Sequence, residues 1–172
     1  QVVLNTRVVA ISGNRVSTAD GRSIDAEKVI VATEGPMAAA LAGVPPVASR
    51  SVTSVWFAAD RPPTSSKMIV LNGSGSGVVL NAAVMSNIAP EYAVDGNALI
   101  VASCPGVCDP QIEPLVRQEL RAWWGGAVDR WRHLRTDAIA HAQPDHVPPH
   151  SPKQRVHLGG DLFVCGDHRD TG

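Results

Sequence analysis

The sequence predicts a mixed α/β fold, α+β in part, and three stretches carry that expectation. Leu162–Cys165 is a run of four apolar residues closed by Gly166-Asp167. That is the pattern of a strand buried on both faces, opening at its carboxyl end onto a ligand crevice. Residues 1–36 read as a β-meander with a two-residue hairpin signal at Asp20-Gly21. Ile112, Leu115, Val116, Leu120 and Trp123 fall at spacings of three and four, one face of an amphipathic helix.

The elements follow in order. Val2–Ile11 is expected as a strand, Ser12-Gly13-Asn14 as a turn and Arg15–Thr18 as a second strand. Arg22–Asp25 returns from the Asp20-Gly21 turn, and Lys28–Val31 runs into Ala32-Thr33-Glu34-Gly35. Pro36 suits the first position of a short helix through Leu41, and Gly43 ends it. Val44-Pro45-Pro46 reads as a crossover. Ser51–Ala59, Met68–Leu71, Val78–Ala83 and Leu99–Ser103 then suggest a small antiparallel sheet with loops rich in Gly, Pro and Asn. Asp109-Pro110 supplies a cap and a first-turn proline for the long helix, while Pro114 moves its regular start to near Glu113. Gly125-Gly126 closes it. Val128–Arg135, with three arginines flanking Trp131, is mixed and reads as a solvated face; Thr136–Ala142 is a strand and Gln143–Pro152 an irregular loop.

A chain of 172 residues is one ordinary domain or two small ones that share a sheet. An apolar fraction of 44% supports a sizeable core, and a net charge of −1 gives no nucleic-acid footprint and no basic membrane patch. No long apolar span is present, so there is no strong membrane signal. Three cysteines, an odd number, make no disulfide framework, and a reducing, cytoplasmic compartment is the simpler reading.

Most familiar chemistries fail on spacing. The Gly73–Gly77 run has its third glycine one residue too early for a dinucleotide loop, and strand-like residues follow it where a helix is needed. It reads as a loose hairpin loop. Cys104 and Cys108 form one pair where a structural zinc site needs two, and His141, His146 and His150 are spread along a proline-rich stretch; no metal is expected. No Gly-x-Ser-x-Gly elbow stands between a strand and a helix. What remains is Gly166-Asp167, either a capping Asp at a strand-to-helix turn or a carboxylate that accepts a hydrogen bond from a cofactor hydroxyl.

Taken together, the Asp20-Gly21 hairpin, Lys28–Thr33 (KVIVAT), Val79–Tyr92 (VLNAAVMSNIAPEY) and Leu162–Thr171 (LFVCGDHRDT) resemble the C-terminal part of FAD-dependent oxidoreductases of the amine oxidase and phytoene desaturase type. The resemblance implies a partial FAD-binding domain in residues 1–46 and 143–172, with a sheet-and-helix substrate domain inserted at 47–142. It implies FAD as cofactor and hydride transfer from a small or apolar organic substrate, a reaction that needs no side-chain acid or base. Carried over by position, Val8 matches the residue whose backbone meets the adenine, and Ala32 and Thr33 match the loop near pyrophosphate and ribose. Gly166 and Asp167 match the pair in which the Asp meets a flavin side-chain or pyrophosphate group, with His168 directly after them. The lysine and aromatic pair of true amine oxidases have no match, so no catalytic residue is assigned. The family's strand–GxGxxG–helix unit is not among these residues, and the chain by itself is not expected to hold FAD tightly. The rival expectation is a non-catalytic scaffold or partner-binding domain that keeps the flavoprotein fold.

Overall fold

A computed structural model describes residues 1–93, 96–107, 109, 111–149, 151 and 153–169. The expectations for Cys108, Pro110, His150, Asp170 and Thr171 lie outside the described residues. The chain forms two compact units, residues 1–50 with 143–172, and residues 51–142.

The first segment builds an antiparallel meander of β1 (Val8–Ser12), β2 (Arg15–Thr18) and β3 (Ser23–Asp25). The expected strand from Val2 starts only at Val8. Val2 and Leu4 are 84% and 76% exposed, so no packed layer offsets the entropy of holding them extended. Val8 stands opposite Thr18, and Arg15 opposite Asp25, with which it forms an exposed ion pair at 2.8 Å. Then come β4 (Val29–Val31) and α1 (Gly35–Ala42), with Pro36 in the first turn and Gly43 closing the helix by donating its N–H to the Ala39 carbonyl.

The strand β5 (Ser49–Ala59) carries the chain from one unit into the other. The second unit continues with β6 (Val70–Leu71), β7 (Asn81–Val84), α2 (Met85–Ile88), β8 (Ala98–Pro105), α3 (Glu113–Trp124) and β9 (Arg132–Pro144). Its sheet runs in the order β6-β7-β8-β5-β9. Period-two alternation sends Thr53, Val55, Phe57 and Ala59 to one face of β5, and the antiparallel register sets Val55 opposite Ala102 and Phe57 opposite Ile100. Ile112 and, one and two turns into α3, Val116 and Leu120 close over that face as part of one core. Each such large side chain, once buried, contributes roughly 1.5–3 kcal/mol.

Several expectations need correction here. Leu115 is 55% exposed, so the buried stripe of α3 is narrower than its apolar spacing suggests. Asp109 caps a turn ahead of α3, accepting the Gln111 N–H at 2.8 Å, while Ile112 is the residue that precedes the helix. The strand expected from Val78 begins at Asn81, because the Val78 and Val79 N–H groups donate to the Glu119 carboxylate instead of to a neighbouring strand. The Gly73–Gly77 loop is therefore tied down rather than loose. Asn72 Nδ2 donates to the Ser76 and Val79 carbonyls and to Glu119 Oε1, and a Cβ on Gly77 would stand 2.3 Å from that same oxygen. Arg132–Arg135, read as part of a mixed face, belongs to β9, which continues through Gln143 and Pro144 into the expected loop.

The chain returns to the first unit through β10 (His157–Gly159) and β11 (Leu162–Val164). The sheet there has the order β10-β11-β4, with β11 parallel to β4 and Leu162, Phe163 and Val164 paired with Val29, Ile30 and Val31. Val31 and Val164 pack with Ala38 of α1 and Val44. The expectation that β11 is buried on both faces fails on the opposite side. Ile30 is 64% exposed there and Phe163 is half-buried, stacked on His157 at 4.8 Å, because α1 covers only one face of this sheet among the described residues. Among the described residues no helix is long and apolar enough to cross a membrane.

Candidate functional site

Parallel pairing is what assembles the site. It sets the carboxyl ends of β4 and β11 side by side, although some 130 residues separate them in sequence. The Cys165 N–H donates to the Val31 carbonyl at 2.9 Å, extending the ladder past the last paired residues. From there one strand leaves through Ala32, Thr33 and Glu34 into α1, and the other through Gly166 into a tight turn over Asp167–Arg169. This is the mouth at which open α/β sheets take their ligands.

Gly166 has φ +145°, a conformation that L side chains avoid. A Cβ there would meet the His168 ring at 2.7 Å and stand 3.5 Å from the Thr33 carbonyl oxygen. The missing side chain thus lets the two strand ends and the imidazole close up. On its other side the His168 side chain lies against Gly35, whose added Cβ would be 3.4 Å from His168 Cβ. His168 is consequently held between two glycines, one at the start of α1 and one at the end of β11.

Burial leaves that imidazole in an unusual state. His168 is 2% exposed, and neither Nδ1 nor Nε2 has a hydrogen-bond partner among the described residues. The Asp167 carboxylate is near, at 3.9 Å from Nδ1, but points into solvent with its side chain 62% exposed. Desolvation pushes the His168 pKa below the ordinary imidazole value, and Arg169 and His146 push it further; Asp167 opposes them. The ring is neutral at pH 7 and keeps one donor and one acceptor unused. Arg169, which the sequence reading did not single out, is buried next to it. Its Nη2 donates to the Arg155 carbonyl at 2.7 Å while Nε has no partner. Nothing in the local sequence distinguishes this arginine from a surface one.

The predicted residues divide between two sheets. Thr33, Gly166, Asp167 and His168 come together at the strand ends. Ala32 is exposed directly before Thr33, whose hydroxyl donates to the Glu34 carbonyl at 3.3 Å. Val8 lies in the separate β1–β2–β3 sheet, half-buried and opposite Thr18. No side chain hydrogen-bonds the first turn of α1, and the acidic residue at its start is Glu34, the N-cap position. Bare backbone at Gly166, an outward carboxylate and a buried imidazole with idle nitrogens fit a ligand rich in hydroxyl groups.

Comparison with known proteins gives the fold and the family. A protein from Pyrococcus furiosus shares the fold at a TM-score of 0.57, with 14% identity over 95% of this chain and 40% of its own. An oxidoreductase from Methanosarcina mazei matches at 0.55, with 15% identity over 95% of this chain and 43% of its own. Iminodiacetate oxidase from a Chelativorans species matches at 0.55, with 16% identity over 92% of this chain and 42% of its own. The chain thus spans about two fifths of the length of these structures. No curated protein matches the sequence. The family model described as flavin containing amine oxidoreductase matches residues 1–172. Its flavin is the class of cofactor that the strand-end motifs led us to expect, and the mixed α/β fold is the expected one. The chain belongs to the flavin-containing amine oxidoreductase family.

Proposed function

We propose that this chain forms one side of the FAD seat, together with the substrate-binding unit, of an oxidoreductase that removes hydride from a small or apolar organic substrate. The observation that supports it most is the parallel β4–β11 pair, which gathers Thr33, Gly166, Asp167 and His168 at one mouth beside the start of α1. A bound flavin supplies two-electron oxidation chemistry. The chain's own residues supply binding and orientation. Gly166 lets the backbone approach the cofactor closely, and the exposed Asp167 carboxylate accepts a hydrogen bond from a cofactor hydroxyl. His168 offers a donor on one ring nitrogen and an acceptor on the other, which removes the cost of leaving both unpaired. Val8 contributes backbone from the meander, toward the adenine end, and Ala32 lies with Thr33 on the pyrophosphate side. Residues 47–142 provide the substrate-facing sheet and helix.

Asp167→Ala in the flavin-loaded protein tests this. Losing one charge-assisted hydrogen bond weakens FAD binding by about tenfold or more, read as bound-flavin absorbance per protein after gel filtration. Flavin content equal to wild type removes Asp167 from the seat.

A further inference from the structure

A second site lies in the unit formed by residues 51–142, at the end of β5 opposite Ser49. There the residues that follow β5 face the tight turn Gly126–Arg130 after α3 across a cavity of about 350 Å³, within the size range of small-ligand sites. Its walls include Asp60, Arg61, Pro63, Trp124, Arg130 and Trp131.

Both walls are stiff. Pro62 and Pro63 fix the backbone on one side. On the other, Arg117 donates to the Val128 and Trp131 carbonyls at 2.6 and 3.0 Å, and Val128 is fully buried. The two indoles stand 5.7 Å apart and tilted by 43°, so each contributes its own apolar ring to the wall. Trp131 is only 6% exposed, so its ring cannot swing clear to fill the space.

The charge is what selects the ligand. The neighbouring cations are already engaged, Arg121 with Asp129 at 3.4 Å and Arg117 with Glu113 at 2.6 Å. Arg61 and Arg130 line the cavity and make no ion pair or hydrogen bond among the described residues, nor does Asp60. Two guanidinium groups against one carboxylate leave a surplus of one positive charge (2 − 1 = 1). A monoanion balances that surplus, while a phosphate dianion would overshoot it. A guanidinium fork matches the two oxygens of a carboxylate, and a planar ring lies well on an indole.

We propose that this cavity binds a planar organic monocarboxylate, with Arg61 and Arg130 on the carboxylate and Trp124 and Trp131 against the ring. The site is independent of the flavin seat. Benzoate is the probe, benzamide its uncharged counterpart, and binding is followed by calorimetry and by tryptophan emission on the flavin-loaded protein. Benzoate is expected to bind saturably, and benzamide at least about tenfold more weakly. Arg61→Ala and Arg130→Ala, both at exposed positions, are each expected to weaken benzoate about tenfold with an unchanged circular dichroism spectrum. Asp167→Ala is expected to leave benzoate binding untouched even where flavin is lost, which keeps the two sites distinguishable. No saturable binding, equal affinity for benzamide, indifference to both arginine substitutions, or loss of benzoate binding in Asp167→Ala each overturns the assignment.

Discussion

His168 is the residue at which burial and chemistry conflict most sharply. A buried imidazole with both nitrogens unpaired is destabilising, and its neutral form is the less costly one. The native pKa lies below the unfolded value of about 6.5, so the unfolded chain binds more protons as pH falls. Stability from this group is therefore complete above that pH and declines as pH drops through the interval between unfolded and native pKa. His168→Leu, which removes the unpaired nitrogens, should flatten the fall in urea midpoint between about pH 7 and pH 5; the same slope in both proteins would assign it to other groups. Arg117 is the opposite case, a partly buried cation with a partner on each of its three nitrogens. It pairs with Glu113, donates to two carbonyls and lies 5.1 Å from the centre of the Phe57 ring. Arg117→Leu keeps bulk but removes the guanidinium from the Trp131 carbonyl and the Glu113 carboxylate, while the Val128 carbonyl still accepts the Trp131 N–H, at a cost of about 1–3 kcal/mol, measurable as a shift in urea midpoint without loss of fold.

At the level of elements, the strand ends depend on a glycine that no longer-range feature replaces. Gly166→Ala meets two penalties, the φ of +145° and the His168 ring in the path of the new methyl, and should destabilise its unit by about 1–3 kcal/mol. In the double variant with His168→Ala the steric part disappears and the backbone part stays, so the two costs should be markedly non-additive. Additivity would mean that the ring yields freely. Gly166-Asp167 was legible in the sequence because Gly-Asp after an apolar run has a local physical reason. So were the Asp20-Gly21 hairpin, the alternation of β5 and the end of α1 at Gly43, all set by neighbours a few residues away. The features missed are those made by distant partners. The false strand at Val2–Arg7 and the exposed Leu115 are apolar stretches that no layer covers. The late start of β7 comes from Glu119, about 40 residues on, capturing two amides that a strand would have used. The bare imidazole between Gly35 and Gly166 exists only once β4 and β11 are paired.

On the scale of the whole molecule, the two units keep separate cores. Val31, Ala38, Val44 and Val164 belong to one, and Val55, Phe57, Ile100, Leu120 and Trp131 to the other, with no residue shared. The unit of residues 51–142 is continuous in sequence, whereas the other joins two distant segments through the parallel β4–β11 pair and the Arg50–Asp145 ion pair at 2.8 Å. All four tryptophans, Trp56, Trp123, Trp124 and Trp131, fall within residues 51–142. Tryptophan emission therefore reports on that unit, while far-ultraviolet circular dichroism reports on both. Gly166→Ala perturbs only the discontinuous unit, so it should lower the early part of the dichroism curve in urea and leave the emission midpoint within error of wild type. If emission and dichroism instead shift together by the same amount, the two cores unfold as one cooperative block.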